Sequence, residues 1–179
     1  MTVQITYKNK FSTNNAYNSV LFVDEKMNIS SLKKHISASE YAFISDIIKT
    51  KDIKKKIITF DISSKKKIIL VSIKKNHKSS EVEKLGASFY HQFKDYKVSK
   101  FTINSETLLS KEKNIIGYFV HGLKLKSYVF EKYKTKKKIN NISIIITGKN
   151  QISVKDQIKF KAIENGTFYT RDLVSEPGN

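Results

Sequence analysis

From about residue 80 onward the chain alternates between a helical and a strand hydrophobic period, and that alternation leaves few architectures open. Ser80 and Glu83 form a capping box, and Val82, Leu85, Phe89 and Phe93 then fall on one stripe of a helix. Val98, Phe101 and Ile103 read as a strand. Asn114 opens a longer helix with Ile116, Val120, Leu123 and Phe130 on its buried side. Between 140 and 147, Ile142, Ile144 and Ile146 alternate as a strand does, and Gly148 ends it. Ser153 and Asp156 cap a last helix, expected over roughly Ile152 to Val174, and Pro177 with Gly178 stops it. Helix, strand, helix, strand, helix is the order of crossover units, in which helices join parallel strands and cover the sheet.

The first half supplies the rest of the sheet. Val3, Ile5 and Tyr7 alternate with polar residues, and a polar loop holds Asn14 and Asn15. Val20-Leu21-Phe22-Val23 is apolar throughout, as a strand covered on both faces must be. Ser37 and Glu40 form a second capping box, followed by Tyr41, Ile44, Ile47 and Ile48 on one helical face and a basic turn from Lys49 to Lys56. The strands Ile57–Ile62 and Ile68–Ile73 are separated by Ser63 to Lys67, short enough for a hairpin. The fold class is therefore α/β: a mixed sheet of about five to six strands with helices on both faces, followed by a long connecting helix. Residues 1–149 form the α/β domain, and 150–179 the connecting helix and the start of a link.

A chain of 179 residues is one domain of ordinary size. No apolar run approaches the ~18 residues of a membrane span, and residues 1–7 lack the basic and apolar regions of a secretory signal. There are no cysteines, which excludes disulfides and thiolate metal sites and is compatible with a reducing cytoplasm. The formal net charge of +18 would attract nucleic acid. Arg171 is the sole arginine, however, and base readout favours the arginine fork over the solvated lysine ammonium. Most of this charge reads as solvated surface; a lysine-rich nucleic-acid-binding module with weak sequence preference is the alternative.

Chemistry-bearing patterns are scarce. His35, His77, His91 and His121 include no pair at i, i+4 and no His-Glu-x-x-His, so each reads as a surface or packing histidine. Asp61 reads as a turn cap, and Asp172 and Glu176 as salt-bridge or helix-end residues. No Gly-x-Ser-x-Gly elbow and no phosphate-cradling glycine loop is present, which disfavours a nucleotide pocket. Gly117 and Gly122 inside a helix mark close packing, against the sheet or a partner chain. Tyr128, Phe130 and Tyr133 among lysines read as a buried helical edge rather than a base-stacking surface. No catalytic, cofactor-binding or metal residue is assigned.

Two segments carry a family resemblance. Arg171-Asp172-Leu173-Val174-Ser175-Glu176-Pro177-Gly178-Asn179 resembles the segment joining the two domains of leucyl (cytosol) aminopeptidases. Upstream, the stretch from Gly122 through Leu125, Tyr128, Phe130, Tyr133 and Lys134 to Lys136 is similar to the family's Gly-x-x-Leu-x-x-Tyr-x-Phe-x-x-Tyr-Lys block. The two occur in the family's order and at about its spacing. The resemblance implies the N-terminal, macro-domain-like unit of a cytoplasmic, hexameric metallopeptidase. That unit is non-catalytic and serves assembly and access control. Two divalent metals, zinc or manganese, belong to a C-terminal catalytic domain expected to follow. The family's metal motifs have no counterpart here. DNA binding, known for some bacterial members, is implied only as a possible non-specific property.

The last helix adds an expectation of its own. Val154, Ile158 and Ala162 make one stripe, whereas Phe160, Ile163, Phe168, Tyr169, Leu173 and Val174 spread around the cylinder. Apolar residues on more than one face imply a second surface to cover. At least two of Phe168, Tyr169, Leu173 and Val174 are therefore expected to be exposed.

Overall fold

A computed structural model describes residues 3–8, 18–50, 55–96, 100–108, 114–135 and 141–177. Its strands are β1 (Val3–Lys8), β2 (Asn18–Val23), β3 (Ile57–Asp61), β4 (Lys67–Ser72), β5 (Lys100–Asn104) and β6 (Ile142–Thr147). Its α-helices are α1 (Ala38–Thr50), α2 (Ser79–Phe93), α3 (Ile115–Lys126) and α4 (Val154–Ser175). The strands form one sheet in the order β1-β6-β5-β2-β4-β3. Only β3, the outer arm of the hairpin, runs antiparallel to its neighbour; the other pairings are parallel. This is the mixed α/β sheet expected from the periodicities.

Parallel strands need long crossovers, and these put helices on both faces. The central strand β2 is buried at all six positions and shows how its apolar run is shared. Val20 and Phe22 point to one face, with Val71, Ile103, Ile144, and the α2 and α3 residues Phe89, Phe93 and Phe119. Leu21 and Val23 point to the other, with Leu32, Ile68, Leu70 and Ile44 of α1. On the first face Phe89 meets Phe119 at 5.6 Å and Phe101 at 5.3 Å, both edge to face, and Phe22 meets Phe119 at 5.8 Å. Such pairs add about 0.5–1.5 kcal/mol beyond the burial of their area.

Local signals place most boundaries. Ser37 Oγ accepts from Glu40 N–H while Ser37 N–H donates to Glu40 Oε2, the reciprocal box that starts α1. Ser153 Oγ accepts from Asp156 N–H at the start of α4. Gly148 leaves β6 at φ 99°, a left-handed value that glycine adopts at low cost.

Two expectations are corrected. Helix α2 starts earlier than Ser80: Lys78 is its N-cap, and Lys78 N–H donates to Glu81 Oε2 at 3.0 Å. Glu83 instead lies in the α2–α3 contact. Helix α3 ends at Lys126, so Phe130 lies in the irregular segment beyond it. Ser127 stops the helix, its N–H bonded to the Leu123 and Lys124 carbonyls and its hydroxyl to Lys124 O at 2.7 Å. Asn14, Asn15, Val98 and Gly178 lie outside the described residues, as do residues 51–54 of the basic turn.

Candidate functional site

Eight of the α3 residues are buried, because α3 is covered by the sheet and α2 on one side and by α4 on the other. The glycines make this closeness possible. A Cβ on Gly86 would lie 1.9 Å from the Phe119 carbonyl oxygen, and one on Gly122 would lie 2.0 Å from that of Glu83. Gly117 faces α4: a Cβ there would meet the Phe160 ring at 2.5 Å. Gly86, Gly117 and Gly122 therefore pack against neighbouring helices.

Phe160 fills the notch above Gly117 and contacts Tyr118 edge to face at 5.4 Å and His121 at 5.0 Å. One turn on, Glu164 is 1% exposed and accepts a charged hydrogen bond from Lys124 Nζ at 3.0 Å. Burial keeps His121 below its ordinary pKa, against the opposing pull of Glu83 and Glu164. Burial, with the Glu164 charge nearby, pushes the Tyr7 hydroxyl up to about 12.

Toward its C-terminus α4 meets the segment that follows α3. Arg171 Nη1 donates to Leu125 O at 2.7 Å, satisfying a carbonyl in the last turn of α3, where a cation also suits the helix dipole. The Arg171 guanidinium lies 5.4 Å from the centre of the Tyr128 ring. Tyr128 stacks obliquely on Phe168 at 5.3 Å and donates its hydroxyl to Asp172 Oδ1 at 2.7 Å. Burial and that hydrogen bond push the phenol up. Lys132 pairs with Glu176, which raises the ammonium pKa through the hydrogen bond and the charge. The stretch from Gly122 to Lys132 and the stretch from Arg171 to Glu176 thus close on each other. The sequence pairs them only as family-like motifs and does not say that they touch; their contact depends on α4 running alongside α3 in the same direction, with Phe160 at Gly117, Glu164 at Lys124 and Phe168 at Tyr128.

The other candidates stay apart from this junction. Asp61 ends β3 and pairs with Lys67, the next residue but five, across the hairpin. His35 sits 3.1 Å from the Asn104 amide nitrogen, with its pKa lowered by burial and by Lys34. His77 Nδ1 lies 2.9 Å from Lys74 O, and His91 is exposed on α2. Tyr128 does not continue a helical edge with Phe130 and Tyr133: it turns to α4, while Phe130 and Tyr133 contact each other at 5.8 Å. No short motif marks Lys124, Glu164 or Tyr7 as site residues, because the groups they meet lie far away in the chain.

Among the described residues, no group of three or more His, Cys, Asp or Glu side chains converges as metal ligands would. Two-metal hydrolysis needs several such ligands around ions ~3.5–4 Å apart. The described side chains do not fit that pair of ions. No helix among the described residues is long and apolar enough to cross a membrane.

Residues 20–137 match the model of the cytosol aminopeptidase family, N-terminal domain. A protein described as "Probable cytosol aminopeptidase" from Persephonella marina is 29% identical over 121 residues, 63% of this chain and 24% of that relative. A mutant of tomato leucine aminopeptidase has the same fold over 98% of this chain and 38% of its own, with a TM-score of 0.73 at 15% identity. The macrodomain of Thermus aquaticus DarG covers 82% of this chain and 99% of its own, with a TM-score of 0.55 at 8% identity. The chain therefore spans between 24% and 38% of the length of these aminopeptidases, but matches a macrodomain over nearly all of the latter's length.

Proposed function

Because the chain belongs to the cytosol aminopeptidase family, as its N-terminal domain, we propose that it is the non-catalytic part of a two-metal leucyl aminopeptidase. In this reading residues 1–149 are the α/β domain, and 150–179, which contains α4, is a strut and the start of the link to a C-terminal catalytic domain. That second domain supplies the carboxylates, the lysines and the zinc or manganese ions that remove N-terminal residues from peptides in the cytoplasm. This chain contributes assembly, in a hexamer, and control of access.

The observation that carries the reading is the two-sided character of α4. Its inner side is fixed by Phe160, Glu164, Arg171 and Asp172. Its outer side carries Tyr169, Leu173 and Val174 at 66%, 56% and 82% exposed, whereas half-buried Phe168 stacks on Tyr128 on the inner side. A helix locked in place with apolar residues facing out is suited to bear a second body. Sedimentation of the isolated chain tests this. Concentration-dependent association should occur and be lost when Leu173 and Val174 are both serine. Association unchanged by that pair would remove the outer face from the account. The nucleic-acid reading lacks a comparable observation: Tyr128, its best stacking candidate, is engaged by Phe168, Arg171 and Asp172.

A further inference from the structure

Strand β1 is an outer strand of the sheet, paired among the described residues only with β6. Beside it runs a groove of about 500 Å³ between β1, α3 and the first half of α4. Val3, Gln4 and Ile5 all line it. Successive strand side chains point to opposite faces, so three consecutive residues line one groove only where it reaches the strand's edge. Lys8 O at the end of β1 accepts from Gln151 Nε2 at 2.7 Å; the other edge groups that β6 leaves unpaired among the described residues are a template for another strand.

The far wall is apolar, with Ile158 65% exposed and Phe160 half-buried beneath it. The floor is polar: Glu164 Oε1 and His121 Nδ1 belong to side chains 1% and 5% exposed, and neither atom has a hydrogen-bond partner among the described residues. Lys161 lines the groove and Lys8 ends the strand, both exposed. The one carboxylate in the lining, Glu164, is already paired with Lys124.

We propose that this groove is a peptide-docking site. An extended segment adds to the free edge of β1, inserts alternate apolar side chains between β1 and Ile158, and turns its acidic side chains toward Lys8 and Lys161. Backbone pairing gives such a complex its affinity, and the pockets for alternate residues give it its specificity. A partner with glutamate or aspartate between valine or isoleucine residues matches both walls.

The test uses the whole chain and a fluorescein-labelled heptapeptide alternating Glu and Val. Fluorescence anisotropy should show saturable binding, with backbone amides of Val3–Lys8 gaining hydrogen-exchange protection. Replacing the central Val of the peptide by Pro keeps the charge but removes a backbone donor, and should weaken binding by about tenfold or more. Ile158→Asp, at a position 65% exposed, should weaken it similarly, with the variant's melting temperature unchanged. Equal affinity for the Pro peptide would reduce the interaction to charge attraction and overturn the proposal. So would an Ile158→Asp chain that binds normally, an absence of saturation, or a dimer of this chain that holds the β1 edge against the peptide.

Discussion

Lys124 Nζ on α3 lies 3.0 Å from Oε2 of Glu164, the one buried residue of α4. A carboxylate in that position is tolerable only while it is compensated. Glu164→Ala should therefore destabilise the chain by about 2–3 kcal/mol in urea unfolding, below the ~3–5 kcal/mol of a wholly buried pair because Lys124 reaches solvent. Replacing both residues by methionine should recover most of that loss. A Glu164→Ala chain as stable as the parent would mean that α4 does not dock in this way.

The α2–α3 crossing has no room for a methyl group. Gly86→Ala places a Cβ where the Phe119 carbonyl oxygen is 1.9 Å away, an atom that cannot move without shifting α3. The expected loss is about 3 kcal/mol or more, at the upper end of overpacking costs and well above the ~1 kcal/mol gained in helix propensity. Gly166→Ala is the control, because nothing lies within 4 Å of its added Cβ. It should stabilise α4 by up to about 1 kcal/mol.

Acidification should weaken the fold in two separate windows. Burial lowers the folded-state pKa of His121 and of His35 below the ordinary histidine value of 6.5. The unfolded chain then binds more protons, so stability falls as pH drops below about 6.5 toward the folded values. Around His121 this result is set by burial and Lys124 against Glu83 and Glu164. Burial works to raise Glu40, but hydrogen bonds from Lys66 and Ser37 overcome it and hold the carboxyl below 4.5, so its contribution is lost only in more acidic solution. Melting curves from pH 7.5 to 5.5 should shift downward in the parent and less in His121→Gln. An identical shift in that variant would place the linkage elsewhere.

Leu173 and Val174 are largely exposed on α4, at 56% and 82%. Replacing both by serine should change stability by less than about 0.5 kcal/mol, the ordinary range for surface positions, while improving solubility. A large drop in melting temperature would put this end of α4 in the domain's own core.

Much of the sheet was legible because burial on both faces writes itself into one short run. Val20 to Val23 could hardly be anything but a central strand, and the Val82, Leu85, Phe89, Phe93 stripe fixed the buried side of α2. The starts of α1 and α4 followed from side chains that satisfy the first free N–H groups. What was not legible was tertiary. Phe130 follows Leu123 at helical spacing, yet Ser127 hydrogen-bonds back to the last turn and ends α3 first. Ser80 and Glu83 match the capping pattern better than Lys78 and Glu81 do, since a lysine side chain accepts no hydrogen bond, yet the helix starts earlier, with Lys78 N–H held by Glu81 Oε2. The junction of α3 and α4 was invisible because Lys124 and Glu164 are forty positions apart and share no local pattern.

The measurement closest to the central claim is hydrolysis of leucine amide by this chain alone, with manganese or zinc added in turn. A non-catalytic N-terminal domain predicts a rate indistinguishable from the metal-only blank under both conditions. Turnover above the blank that scales with the concentration of this chain and disappears with a chelator would contradict it.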